Sequence, residues 1–223
     1  MITLGRIAVS LVAVLAILTP AWGGNIVANP DFAAPVIGTG YTPIADWTSS
    51  APSGQGTGSN TGPPFWDNGT VPDGITNVGF IHVNPDEGHG ALPTDSLSQA
   101  LVLDPGTIYS YSFFENARGA SFSGDPLVEV LLGGSTLVAQ SVVDPVGSGN
   151  PFVTVSGTFT ASSSSEVLEF LVTQQTPNDD STFLVTGVDV EATPEPGTAA
   201  LMSLALVGGF LALTTRRCLR TKA

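Results

Sequence analysis

The 223-residue chain is short of positive charge, of cysteine and of helical periodicity, and each shortage excludes something. It has 6 basic side chains against 19 acidic ones, a formal net charge of −13. Arg6 stands near the start, Arg216, Arg217, Arg220 and Lys222 fall in the last eight residues, and Arg118 alone lies between. Residues 24–193 therefore carry 18 acids and one base. A surface of that sign cannot neutralise phosphates, which excludes nucleic acid as a partner and adhesion of this stretch to anionic lipid. Cys218, the only cysteine, lies in the basic tail. No internal disulfide framework and no CxxC zinc site can form, and a cysteine nucleophile would be far in sequence from both histidines. No Gly-x-Ser-x-Gly elbow occurs. Residues 54–58 (GQGTG) read as loop spacing and not as a phosphate turn, since no strand precedes them and no helix follows. No part of 24–193 keeps i, i+3, i+4, i+7 apolar spacing over three turns, so little helix is expected.

What is present begins with two ends that read as addresses. Residues 1–23 have the form of a secretory signal peptide. Arg6 marks the n-region, 7–18 form the apolar stretch, Pro20 breaks any helix, and Ala21-Trp22-Gly23 puts small residues at −3 and −1 of a cut before Gly24. A cut before Trp22, with Thr19 and Ala21 at those places, is the alternative. An uncleaved anchor is disfavoured, because twelve helical residues span only about 18 Å of a hydrocarbon core roughly 30 Å thick. At the other end, Pro194-Glu195-Pro196-Gly197 precedes 198–215, which carry no charge, and then Arg216, Arg217, Arg220 and Lys222. Eighteen helical residues reach about 27 Å, enough to cross a bilayer. The basic residues act as a cytoplasmic stop by the positive-inside bias, leaving the N-terminal side outside. Read plainly, this is a C-terminal anchor.

The order of these parts, Pro194-Glu195-Pro196, an apolar helix and an arginine cluster, resembles the PEP-CTERM sorting signal. The resemblance covers 194–223. It implies an exported protein of a Gram-negative, polysaccharide-producing bacterium, tethered transiently in the inner membrane. An exosortase, a membrane-embedded cysteine transpeptidase, would recognise Pro194, Glu195 and Pro196, cleave nearby and pass the protein toward the cell surface or extracellular matrix.

Between the ends, 24–193 has the size of one domain. Short strand patterns dominate: Asn77–Val83 (NVGFIHV), 96–103 (SLSQALVL), 107–113 (TIYSYSF, opened by the turn pair Pro105-Gly106), Leu127–Leu132, Ser135–Val142, 152–160, 167–173 and 182–190. Leu127–Leu132 and Ser135–Val142 are joined by Gly133-Gly134, a hairpin signal, because a type I′ turn needs positive φ at both positions. Strands every 8–12 residues with turns between predict an all-β fold, an antiparallel β-sandwich. Residues 35–77 fit less simply. Their 43 residues hold 8 Gly and 6 Pro, and Trp47, Phe65 and Trp66 are expected to pin parts of them to the sandwich.

A second likeness rests on Asn25-Ile26-Val27-Ala28-Asn29-Pro30-Asp31-Phe32, on Ile44-Ala45-Asp46-Trp47-Thr48, and on Leu97-Ser98-Gln99 before Pro105-Gly106-Thr107-Ile108-Tyr109-Ser110. These resemble the opening and middle segments of galactose-binding-like jelly rolls. Members often hold a structural calcium near the first and last strands. Here Thr186 and Gly187 stand where closing-strand aspartates are common, which puts a calcium in doubt.

Candidate chemistry is sparse. His82, Asp86, Glu87 and His89 form the one cluster with two histidines and two acids, a set a transition metal could use. The competing reading is an exposed turn with a rim histidine. A glycosidase needs two facing carboxylates. Glu166 and Glu169, three apart on a strand, point to opposite faces, and Asp179-Asp180 share a loop better suited to calcium than to catalysis. Trp47, Trp66, Tyr41 and Phe65 could stack against sugar rings; a Trp shortly after the first strand of a sandwich is more often core, so Trp47 is expected chiefly there, while Pro63-Pro64 and Asp67-Asn68-Gly69 place Trp66 on an exposed turn. The sequence thus predicts an exported, non-enzymatic cell-surface or matrix protein associated with polysaccharide. It assigns no catalytic residue, metal or cofactor. A polysaccharide hydrolase and a permanently anchored membrane protein are the alternatives.

Overall fold

Among the described residues ten strands can be followed: β1 (Thr48–Ser49), β2 (Gln55–Ser59), β3 (Asn77–Val83), β4 (Thr94–Val102), β5 (Ile108–Ala117), β6 (Pro126–Leu132), β7 (Ser135–Val142), β8 (Val153–Thr160), β9 (Ser165–Gln174) and β10 (Ser181–Ala192). The computed structural model describes residues 23–33, 43–50, 75, 77–83, 94–117, 125–143, 152–175 and 181–194, with the backbone of 55–59. The chain divides into two units, Trp22–Thr193 and a second made of Met1–Ala21 with Pro194–Ala223, and all ten strands belong to the first.

The strands form two five-stranded sheets, ordered β1-β4-β9-β6-β7 and β2-β3-β10-β5-β8, and every pairing is antiparallel. The β-sandwich expected from strand spacing is therefore the fold. β3 and β7 keep the limits expected for them. The Gly-Gly hairpin joins β6 to β7 with φ of 56° at Gly133 and 79° at Gly134, the positive pair a type I′ turn requires.

Alternation along each strand builds the core. On β9, Leu168, Phe170 and Val172 point inward, while Val167, Glu169 and Leu171 point out. Phe170 is fully buried, edge-on to Phe113 of β5 at 5.1 Å between ring centroids and tilted against Phe183 of β10 at 6.1 Å. Three side chains from two sheets meet there, so Phe170→Ala would cost about 3–5 kcal/mol. A second, smaller cluster lies on the outer face of the β2-β3-β10-β5-β8 sheet, where Val78, Phe80 and Leu184 pack with Phe152, Ile75 and Phe114. β3 and the first half of β10 are consequently buried on both faces. That is why NVGFIHV reads as an apolar run and does not alternate.

Two expectations are corrected. Residues 54–58 read as loop, yet Gln55–Ser59 is an edge strand paired with β3 from Gln55↔Ile81 to Ser59↔Asn77. Glycine gives no hydrophobic period and is depleted in strands, so a strand held by backbone pairing alone is silent in the sequence. His82 is not a rim residue. It is buried on the outer face of β3, and its Nδ1 lies 3.3 Å from the Thr182 hydroxyl on the neighbouring strand. Its apolar neighbours had already placed it in a strand, and the two-sided burial of that strand encloses it.

Candidate functional site

Three stretches of the chain that share no local structure meet at one corner of the sandwich: residues 23–33, residues 43–50 and the middle of β4. β3 stops pairing with β10 at Gly79↔Val185, and residues 23–30 take its place beside the rest of β10. Ile26 donates its N–H to the Val190 carbonyl (3.0 Å) and Val188 donates to the Pro30 carbonyl (3.1 Å). The Asn25 side chain completes the seam, with Nδ2 donating to Val188 O (2.8 Å) and Oδ1 accepting from Val190 N (3.1 Å) and Val27 N (3.0 Å).

Gln99 then ties this segment to the opposite sheet. Its Oε1 accepts from Ala28 N (2.8 Å), and its Nε2 donates to Ala28 O (3.0 Å) and Asp46 O (2.9 Å). A primary amide has two donor hydrogens, and both are used. Asn29 adds a bond from Nδ2 to Ala45 O (2.9 Å). The backbone bends sharply here, with positive φ at Asn29 (48°), Phe32 (53°) and Asp46 (67°). Asn and Asp tolerate that region, but Phe does not do so readily. The fully buried Phe32 ring compensates, lying on Gly79 of β3 and against Trp47 at 5.3 Å. A Cβ at Gly79 would stand 2.8 Å from that ring, so the glycine makes room for it.

Between these elements lies an open groove of about 470 Å³ lined by Ile26, Ala28, Asp46, Thr48, Gln99, Ala100 and Val102. With the Gln99 amide committed to the fold, Asp46 and Thr48 are the other polar residues among the described ones that line the groove. Val102, 82% exposed, and its apolar neighbours supply aliphatic contact. Such a surface can hydrogen-bond hydroxyl groups and cover a small apolar face. Among the described residues that line it there is no nucleophile–base pair.

Trp47 does not line the groove. It is buried between Phe32 and Phe170 and donates Nε1–H to Asn29 O (3.3 Å), so it is a core residue and not a stacking platform. Trp66, Tyr41, Phe65, Asp86, Glu87, His89, Asp179 and Asp180 lie outside the described residues, as do Glu195 and Pro196, the apolar stretch 198–215, and Arg216, Arg217 and Arg220. Pro194 is exposed, two residues after the end of β10. Among the described residues no helix is long and apolar enough to cross a membrane.

The described carboxylates are spread out. Glu166 faces inward and Glu169 outward, as their spacing predicts. Glu166 closes the β8–β9 turn: Oε1 accepts from Ser162 N (2.6 Å), Ser162 Oγ (2.8 Å) and Ser163 N (2.9 Å). Burial pushes this carboxyl up, but the three bonds together outweigh burial and hold it below the usual range. Asp95 is buried and bonded to the Ser50 hydroxyl. Asp189 and Glu191 stand side by side on the outer face of β10. Burial first, and then the Glu191 charge, raises Asp189. Glu115, on the inner side of β5, is pushed by burial to about 7. None of these acids faces another across a cleft as glycosidase chemistry demands.

Nor do the residues at this corner fit a calcium cage. The carbonyls of Ala28, Asp46 and Val188 already accept from side-chain amides, Thr186 Oγ1 donates to Asn77 O (2.8 Å), and Gly187 has no side chain. Among the described residues no three His, Cys, Asp or Glu side chains converge. Gly187 has its own reason to be there: β10 bulges between Thr186 and Asp189, with φ of 58° at Gly187.

No protein-family model matches the chain, and no curated protein matches it. Solved structures with a similar arrangement include TmCBM61 in complex with β-1,4-galactotriose, at 11% identity and TM-score 0.44 over 74% of this chain and 97% of that one. A protein of Bacteroides thetaiotaomicron described as sugar-binding aligns at 12% identity and TM-score 0.44, over 76% of this chain and all of the other. The enzymatically active domain of bacteriophage CBA120 tailspike protein 4 aligns at 12% identity and TM-score 0.43; the match covers 76% of this chain but only 21% of that domain's chain. Likenesses at these values assign neither a family nor a ligand to this chain.

Proposed function

We propose that this is an exported, non-enzymatic protein of the bacterial cell surface or extracellular matrix, sorted through its C-terminal Pro194-Glu195-Pro196 signal and associated with polysaccharide. One observation supports the reading: among the described residues the sandwich runs from residue 23 to Thr193, so it starts and stops next to the two segments this reading takes as processing signals. Residue 23 lies beside Ala192, with the position of a Gly23 Cβ 3.2 Å from the Ala192 Cβ. The last backbone bond of the domain runs from Thr193 N to Ile108 O (2.8 Å). A cut before Gly24 and another near Pro194 would release the whole hydrogen-bonded unit and break no strand. The Asp46–Thr48 groove is the surface this reading assigns to a neutral glycan, since the domain's negative charge repels acidic polymers.

Intact-mass measurement on protein recovered from its host, medium and cells separately, tests the sorting. The expected species starts near Gly24 and ends near 194–197. A species keeping residues through Ala223 in the inner membrane would sink the reading and leave a permanently anchored protein. Replacing Glu195 with Ala should then shift the population from the trimmed to the full-length mass.

A further inference from the structure

We infer that β8 is a self-association edge, through which two copies of this chain pair antiparallel and join their β2-β3-β10-β5-β8 sheets across a twofold axis. The inference stands on the strand itself and not on the sorting signal or the groove.

β8 and β7 are the terminal strands of their sheets, and they lie on the same side of the sandwich, where the Tyr111 hydroxyl of β5, the strand next to β8, donates to the Leu137 carbonyl of β7 (3.5 Å). They differ in how the edge is finished. The β6–β7 pairing shifts register twice, between Val128 and Val130 and between Val130 and Leu131, and such irregularities blunt an edge. β8 pairs with β5 without a break, from Ile108↔Thr160 to Glu115↔Val153, so no bulge interrupts its edge over eight residues. In an antiparallel ladder alternate residues turn their N–H and C=O to opposite sides. Ala161 N–H donates to the Thr107 carbonyl (3.0 Å), which fixes the phase: the odd residues face β5, and Thr154, Ser156, Thr158 and Thr160 present theirs outward. All four are exposed, and among the described residues no strand pairs with that edge.

Charge selects a second copy as the occupant. Residues 24–193 carry 18 acids and one base, so two copies repel over most of their surface. From Val130 to Ser165 the sole charged residue is Asp144, and neither β7 nor β8 carries any. The usual protection of an exposed edge, a lysine or a proline, is missing from β8. Two β8 strands about a twofold axis set Thr and Ser opposite Thr and Ser, pairs that hydrogen-bond across strands. The same strand meets itself, so no other surface is needed.

Light scattering on the full chain in detergent, over a concentration series, reads the outcome. The wild type is expected to be dimeric at the upper concentrations. Ser156→Pro removes an outward N–H and leaves the β5 ladder intact, since Ser156 does not face β5. It is expected to weaken the dimer at least about tenfold, equivalent to about 1.4 kcal/mol. Should Ser156→Pro lose the thermal transition of the wild type, Ser156→Lys serves instead, because it sets like charges across the axis and leaves the backbone unchanged. A wild type that is monomeric throughout overturns the inference. So does a dimer that survives both substitutions, which would place the contact in the C-terminal tail or on β7.

Discussion

The two lateral sides of the sandwich are finished in opposite ways. On the side of β1 and residues 23–33, chain that belongs to neither sheet is sewn in by side-chain amides, with Asn25 bound to β10 and Gln99 to two separate loops. On the side of β7 and β8 the described residues add no such segment: the two strands end their sheets and are largely exposed, and a single long bond, from the Tyr111 hydroxyl of β5 to the Leu137 carbonyl of β7 (3.5 Å), is the side-chain tie between the sheets there among the described residues. What differs is the added segment: residues 23–30 and the Asn25 and Gln99 amides satisfy backbone groups of β10 and of the loops on one side, while the even residues of β8 turn theirs outward on the other. The sewn side should therefore carry stability, and the open side should carry little.

The strongest way to break this contrast is at the bulge that lets residues 23–30 replace β3. Gly187→Ala would put a Cβ 2.7 Å from the Phe114 ring at φ of 58°. Overpacking and a left-handed alanine together should cost about 3 kcal/mol. Urea unfolding monitored by tryptophan fluorescence should show a clearly lower midpoint, and an unchanged midpoint would mean that the bulge is not held. Next comes Gln99→Leu, which keeps the volume but strands Ala28 N and the carbonyls of Ala28 and Asp46. Leaving those groups unpaired should cost about 2 kcal/mol. Hydrogen exchange should speed up at residues 26–28 before it does in β9; uniform acceleration would argue against a local seam.

Much of this contrast was legible in the sequence in part only. The strands with alternating or apolar patterns were readable, because burial imposes a period of two, and the Gly133-Gly134 turn was readable because only positive φ suits it. Asn25, Asn29, Asp46, Trp47 and Gln99 were visible as a motif, but their convergence was not, since an amide that bonds across the fold leaves no local signal. β2 was hidden for the same reason: its pairing is all backbone. Trp47 illustrates the limit most directly. Its neighbourhood allowed core or surface, and only the position of Phe170, 6.0 Å away across 123 positions of sequence, decides for the core.

The open side holds a pH effect of intermediate size. Glu115 lies on the inner face of β5, directly across from Val153 of β8, and burial raises its carboxyl to about 7 from an ordinary 4.5. Between those two values the folded state holds more protons than the unfolded one, so stability falls as pH rises through that window. With discount for partial solvent access, the loss should be about 1–2 kcal/mol. Glu115→Gln should remove it, making the variant the more stable protein at pH 8 and nearly equal at pH 4. The reverse order at pH 8 would show that the carboxylate is stabilised where it lies. Glu166 has the opposite sign. Its carboxyl lies below the usual range, so the stability it contributes to the β8–β9 turn is present above the unfolded value and disappears as pH falls through the lowered folded one.

The smallest expected effect is the sharpest test of the contrast. Thr136 on β7 donates its hydroxyl to Glu129 Oε1 of β6 at 2.9 Å, an exposed bond on the outer face of the sheet. Water competes for both groups, so the net worth of that bond is small, and valine has the same shape and a higher preference for strands. Thr136→Val should therefore move the unfolding free energy by no more than about 0.5 kcal/mol in either direction. Gln99→Leu also replaces a hydrogen-bonding side chain with an apolar one of similar size, and there the expected loss is several times larger. If the two substitutions proved equal in urea, the amides at the sewn corner would be ordinary surface contacts. The stability of the sandwich would then rest on the Phe170 core alone.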